Sequence, residues 1–316
     1  MKLRLRAVPA TVAAALLLAG LVACSSGSPV SNSGVSNSAV PNSGGSSATI
    51  PLLRVGTTGS TSTLDPLTTQ GCATDYCGLF MERLMKFAPD GKLEPQLAAS
   101  MSEPNSDTYV FDLRHGVTFW DGNEMTSADV VASLEYQEAP GSETATYYTD
   151  VKSITADGPY TVVVALKQPN SIWPQNMAYE GVIFEKSFQE AHKATFGQPG
   201  TLVMGTGPWE VDSFDPTTGI ELSANPHWWG GKVSIKHISF KFFATETSEA
   251  LAMRAGEIDA AFPSDGSTFA TASGAKVTPR KIWFTPAVAS VVIGEAAPMS
   301  VMATKRLALL SKAVVA

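Results

Sequence analysis

Thr108-Tyr109-Val110-Phe111-Asp112-Leu113-Arg114 alternates with a period of two. Tyr109, Phe111 and Leu113 fall on one side, which makes a strand with one buried and one wet face. Working back, Pro89-Asp90-Gly91 is a breaker. Before it, Leu79, Phe80, Arg83, Leu84 and Phe87 recur at helical spacing, which predicts a helix over 76–87. Leu64-Asp65-Pro66 reads as a turn, and Leu52 to Thr57 as a buried first strand. Working forward, Thr126 stands three residues before Asp129, a pattern that satisfies the free amides of a helix start. Asp157-Gly158 predicts a hairpin between 151–156 and 160–166. A second hairpin is expected over 211–222, then a strand at 238–243. A short helix at 247–255 is stopped by Gly256, and a last strand runs over 258–262. Strands and helices mix without regular alternation, so one doubly wound sheet is disfavoured.

The chain has 316 residues, enough for two domains of ordinary size. Its 26 Gly and 20 Pro are close to average usage, which excludes collagen-like and wholly disordered classes. The net charge of −7, without a basic stripe, argues against a nucleic-acid partner. Lys2, Arg4 and Arg6 precede an uncharged apolar run, Ala7 to Ala23. That run ends in Leu21-Val22-Ala23-Cys24. A charged start, an apolar centre and small residues at the cut make a secretory signal over 1–23. Its removal leaves 19 basic residues against 29 acidic ones, a mature charge of −10. Residues 24–51 are rich in Ser, Gly and Asn and carry no charge or aromatic ring. Such a segment cannot offset its ordering entropy, so it reads as a disordered tether. Its root-mean-square reach is roughly 28 Å.

The common motifs of catalysis are missing from the sequence. There is no Gly-x-Ser-x-Gly elbow. Gly91-Lys92 and Gly231-Lys232 lack P-loop spacing, and Gly205-Thr206-Gly207 runs into Pro208, which no dinucleotide fingerprint does. His115, His192, His227 and His237 show no pairing at ligand spacing. Cys72 and Cys77 lie five apart; a disulfide, two buried thiols and a metal site all remain open for them.

Seven segments, in order, carry a resemblance: LDP (64–66) with LFMERL (79–84); GKLEPQLAAS (91–100); YVFDLRHGVTF (109–119); TSADVVAS (126–133); GTGPW (205–209); NPHWWGGK (225–232); and LAMRAGEIDA (251–260). The chain resembles the peptide/nickel-type (family 5) extracytoplasmic solute-binding proteins of ABC importers. Leu-x-Ala-Cys likewise resembles the bacterial lipobox, in which the Cys, here Cys24, is acylated and becomes the mature N-terminus.

The resemblance implies an α/β fold: a periplasmic-binding-protein-like (type II) main lobe with an inserted smaller α+β domain. The first lobe would be discontinuous, over 52–84 and 205–285, with 85–204 inserted. Members continue into a second large lobe. Here 286–316 reads as an atypical tail in its place, so the chain looks C-terminally truncated. The implied function is a lipid-anchored, extracytoplasmic binding component that closes over a peptide or other small solute and hands it to permease subunits. It would use no catalytic residue, cofactor or metal, and would meet the membrane through the lipid on Cys24. The implied ligand contacts are Gln70, Gly71 and Cys72, in the loop after Leu64-Asp65-Pro66, with backbone groups offered to an extended ligand. Tyr147 and Tyr148 are placed as an aromatic wall, and Trp173 as a further contact. Two alternatives stand beside this reading: a truncated relic that binds nothing, and a secreted hydrolase.

Overall fold

A computed structural model describes residues 49–67, 76–88, 90–263, 266–274, 276–281 and 290–293. In chain order the elements are β1 (Leu53–Thr57), β2 (Met85–Phe87), β3 (Leu93–Pro95), β4 (Ala98–Asn105), β5 (Thr108–Leu113) and α1 (Ser127–Glu138). There follow β6 (Val151–Ala156), β7 (Thr161–Leu166), α2 (Trp173–Glu180), α3 (Lys186–Ala191), β8 (Trp209–Asp215) and β9 (Gly219–Ala224). The last are β10 (His237–Phe242), α4 (Glu246–Arg254), β11 (Ala260–Ala261), α5 (Gly266–Ser273), β12 (Lys276–Lys281) and β13 (Ser290–Ile293).

Three sheets result. The largest has seven strands in the order β12-β13-β11-β1-β10-β9-β8. Its centre is parallel: β1 pairs with β10 on one side and β11 on the other. Leu53, Val55, Gly56 and Thr57 of β1 are all buried, as a strand covered on both faces requires. The second sheet, β4-β5-β7-β6, is antiparallel throughout. On β5, Tyr109, Phe111 and Leu113 are buried and their neighbours are not, as the alternation predicts. The β2–β3 hairpin forms the third.

Local chemistry explains the element ends. Asp129 Oδ2 accepts from the Thr126 N–H and hydroxyl, each at 2.9 Å, and so starts α1. Both expected hairpins form, β6–β7 and β8–β9. Gly256, at φ +75°, follows the end of α4 in the left-handed region that glycine adopts freely. β13 joins the seven-stranded sheet beyond residue 285, pairing with β11 and β12.

The helix expected over 76–87 does not form. Instead Cys77–Leu79 is a short 3-10 turn, and Met85–Phe87 is β2. The reason is burial on every side. Tyr76, Cys77, Phe80, Met81, Leu84 and Met85 are all core, but so are Glu82 and Arg83, which a helix would have turned to water. The segment is a crossing between two hydrophobic clusters. Phe80 and Met81 belong to the cluster on the seven-stranded sheet, with Leu53, Val55, Leu64, Trp209 and Phe240. Leu84 and Met85 belong to the cluster on the four-stranded sheet, with Tyr109, Phe111, Leu134, Val162 and Trp173. The chain returns through Gly205-Thr206-Gly207. A Cβ on either glycine would run into the backbone carbonyl of Phe80 or Leu79, so the two crossings touch main chain to main chain. Leu64 and Trp209, 145 positions apart, share one cluster, as parts of a single body should.

Candidate functional site

Because β10, β1 and β11 run parallel, their carboxyl ends, Thr57, Phe242 and Ala261, lie on one rim. β1 is flanked on both sides, and the chain passes from β10 through α4 to β11 on its far side. That arrangement is a topological switch point, where open α/β sheets leave a crevice for ligands. The segment leaving this rim after β1 leads through Asp65.

Asp65 is fixed from several directions. Its Oδ1 accepts from the Leu67 N–H at 2.9 Å, and its Oδ2 from the Tyr136 hydroxyl of α1 at 3.0 Å. The Gly197 carbonyl accepts from the Leu64 N–H at 2.8 Å and the Thr63 hydroxyl at 3.0 Å. The Glu143 N–H donates to the Leu67 carbonyl at 3.0 Å. Burial raises the Asp65 carboxyl, against the bonds from Leu67 and Tyr136. Burial, then the Asp65 charge, raises the Tyr136 phenol strongly. On the other side of residues 68–75, Tyr76 packs on Phe240 and Phe242 with centroids at 5.4 and 6.1 Å. Its hydroxyl donates to the Gly59 carbonyl at 3.2 Å. Cys77 is disulfide-bonded. Gln70, Gly71 and Cys72, like Cys24, lie outside the described residues; the flanks at 65–67 and 76–77 are described.

Under the same rim, Glu249 of α4 is wholly buried beneath Gly56. A Cβ at Gly56 would stand 2.9 Å from Glu249 Oε1. Burial, then the Glu246 charge, pushes this carboxyl up to about 7, against the Phe262 N–H.

Tyr147 and Tyr148 meet a different group. Tyr147 is half-buried and hydrogen-bonds Glu180 of α2. Burial pushes the Glu180 carboxyl up to about 7, against the charge of Arg83 and the bond from Tyr147. Arg83 Nε donates to the Tyr179 carbonyl at 2.9 Å. Tyr148 is core, and its phenol is raised by burial and by the Glu180 and Glu138 charges. Trp173 is wholly buried, stacked on Tyr109 at 5.6 Å and tilted against Phe111 at 6.3 Å. In this conformation it serves the core of the four-stranded sheet, because a solute on the surface does not reach it. Among the described residues, Tyr147 is thus the accessible member of the three aromatic candidates.

Among the described residues, no group of three or more His, Cys, Asp or Glu is placed to hold a metal ion, and no helix is long and apolar enough to cross a membrane. His192 caps the end of α3, its Nδ1 2.8 Å from the Phe188 carbonyl, and His115 lies against Tyr160 at 3.9 Å.

The family model of bacterial extracellular solute-binding proteins, family 5, matches residues 92–293, well over half of the sequence. The chain belongs to this family. Protein XP55 of Streptomyces lividans is 29% identical over 212 residues, which cover 66% of this chain and 38% of that protein. The probable peptide-binding protein YejA of Agrobacterium fabrum is 28% identical over 225 residues, 66% of this chain and 36% of that one. Among solved structures, the family-5 fold superposes on the A. tumefaciens binding protein MoaA, crystallised with mannopinic acid. The TM-score is 0.62 at 25% identity, over 69% of this chain and 46% of MoaA. The fold is therefore that of the type II periplasmic binding proteins, and the chain spans less than half the length of these relatives.

Sequence reading did not find Tyr136, Glu180, Glu249 or Glu82. A signal existed for the last: a Glu-Arg pair inside an otherwise apolar run, 79–85, is costly to bury and marks a special environment.

Proposed function

We propose that this chain is the solute-binding component of an ABC importer, held outside the cytoplasm by a lipid on Cys24, and that it binds peptides and performs no reaction. The observation that carries the reading is the rim at the carboxyl ends of β1, β10 and β11. It forms one wall of a solute cleft, and the segment after β1 is anchored there at Asp65 and again at Tyr76. Between those anchors, Gln70, Gly71 and Cys72 offer backbone groups to an extended ligand. A Cys72–Cys77 disulfide suits their spacing and an oxidising compartment. Tyr147 supplies an aromatic side contact. Residues 52–84 and 205–281, with β13 at 290–293 completing their sheet, act as one lobe and 85–204 as its insert; permease subunits take the solute from the closed form.

Peptide is the favoured cargo because YejA carries that name. The test is the melting temperature of the full chain against a library of di- to pentapeptides, with mannopinic acid as a separate arm. A peptide present at about 100 times its Kd adds about 2.7 kcal/mol. A rise with peptides supports the reading. A rise with mannopinic acid alone reassigns the cargo, and no rise in either arm contradicts solute binding. Mass spectrometry of the membrane-derived N-terminal peptide should show acylated Cys24; an unmodified Cys24 contradicts the anchor.

A further inference from the structure

The loop between α3 and β8 folds into a ring. The Gly197 N–H donates to the Leu202 carbonyl and the Leu202 N–H to the Gln198 carbonyl, each at 2.8 Å. The Thr201 hydroxyl donates to the Thr195 hydroxyl, also at 2.8 Å. Phe196 and Val203 bury the two ends of the ring in the cluster of the seven-stranded sheet. Leu202 stands at φ +64°, and among the described residues it is the one non-glycine in the left-handed region. That conformation is unfavourable for a residue with a Cβ and persists where the surroundings over-determine it.

The ring presents Gly197 to the segment that leaves β1. The Gly197 carbonyl accepts from the Leu64 N–H at 2.8 Å and from the Thr63 hydroxyl at 3.0 Å. The Thr63 hydroxyl in turn accepts from the Asp65 N–H at 3.1 Å. Two successive backbone N–H groups therefore end on one carbonyl oxygen, the first directly and the second through a buried hydroxyl. The contact is also steric. Gly197 has φ +76°, and a Cβ there would stand 2.1 Å from the Asp65 nitrogen and 2.7 Å from its Cα. Phe196 adds a link to the Asp65 side chain. Its ring lies edge-on to Tyr136 at 6.2 Å, and the Tyr136 hydroxyl holds Asp65 Oδ2.

We infer that Gly197 is a positioning residue for solute binding: by main-chain contact it sets the course of the segment after β1, so that the ring over 195–202 shapes the wall the solute meets. Gly197 acts through Leu64 and Asp65 and does not itself touch the solute. A wall segment that is held before the solute arrives loses less freedom on binding, which raises affinity without a new contact. The inference rests on the rim being the solute wall.

The test uses the full chain, with an equimolar pool of di- to pentapeptides as the probe. Gly197→Ala should raise the half-saturating pool concentration about tenfold, and should quicken amide exchange at Leu64 and Asp65 before any peptide is added. Gly158→Ala is the control, with the same φ of +76° but nothing within 4 Å of the added Cβ. It should lower the melting temperature through backbone strain and leave half-saturation unchanged. Thr63→Val removes the hydroxyl at nearly constant volume and serves if Gly197→Ala fails to fold. It should raise half-saturation about fivefold, and Thr63→Ser should restore the wild-type value. A merely structural role would lower the melting temperature of these variants and leave half-saturation alone. That result overturns the inference, as does an equal loss of affinity in Gly158→Ala. If the wild-type chain takes up no peptide, the rim reading falls and the exchange rates decide. Quickening at Leu64 and Asp65 in Gly197→Ala or Thr63→Val, but not in Gly158→Ala, upholds the positioning role, and unchanged rates overturn it.

Discussion

The Tyr136 hydroxyl donates to Asp65 Oδ2 at 3.0 Å, across 71 positions of sequence. This bond ties α1, which packs on the four-stranded sheet, to the turn that leaves the rim of the seven-stranded sheet. Tyr136→Phe deletes the hydroxyl and keeps the ring against Phe184 and Phe196. It should cost about 1 kcal/mol in urea unfolding. It should also weaken solute binding, because the segment beyond Asp65 loses an anchor. Wild-type affinity in this variant would remove Asp65 from the site.

Arg54 and Asp259 make a two-toothed pair, Nε to Oδ2 at 3.0 Å and Nη2 to Oδ1 at 2.9 Å, while the Arg54 N–H also reaches Oδ2 at 3.0 Å. The pair pins β1 to the start of β11. Both side chains are about a third exposed, so solvent screens much of the attraction. Asp259→Asn should cost about 1 kcal/mol, and less at 1 M salt. A loss that is indifferent to salt would mean the packing, not the charge, matters.

Three buried carboxyls, Glu82, Glu180 and Glu249, are each held at about 7 against an ordinary value of 4.5. Over that interval the folded chain binds more protons than the unfolded one, so stability falls as pH rises. The contribution is fully present below 4.5 and lost as pH passes 7. The melting temperature of the full chain should be several degrees higher at pH 5.5 than at pH 8. The difference should shrink in Glu249→Gln, which leaves the other two in place. A melting temperature that rises between those pH values would contradict these environments.

Trp173 separates core from cleft. Trp173→Ala should cost about 3–5 kcal/mol by opening a cavity against Tyr109 and Phe111. Trp173→Phe should cost less and leave solute affinity unchanged. Binding lost in a folded Trp173→Phe variant would return this residue to the site.

Much of the architecture was legible because it rests on local rules. The alternation at 108–114, the Thr126–Asp129 start and the Asp157-Gly158 turn each specify their element without help from afar. The crossing at 76–87 was not legible, since periodicity cannot distinguish an amphipathic helix from an extended segment buried all round. The same limit hid the site. Trp173 is a contact by resemblance alone, and its core partners, Tyr109 and Phe111, lie more than 60 positions away, where no local spacing reveals them. Tyr136, Glu180 and Glu249 gain their roles from neighbours on other elements, and no spacing in the sequence announces such partners.

The central claim is that the rim around β1 receives the solute. Amide hydrogen exchange of the full chain, with and without a saturating peptide pool, tests it most directly. Added protection should concentrate in residues 57–67, 76–80, 242–245 and 261–263, with the sheet edges β8 and β4 unchanged. Protection confined to β4–β7, or unaltered everywhere although the peptides bind, would contradict it.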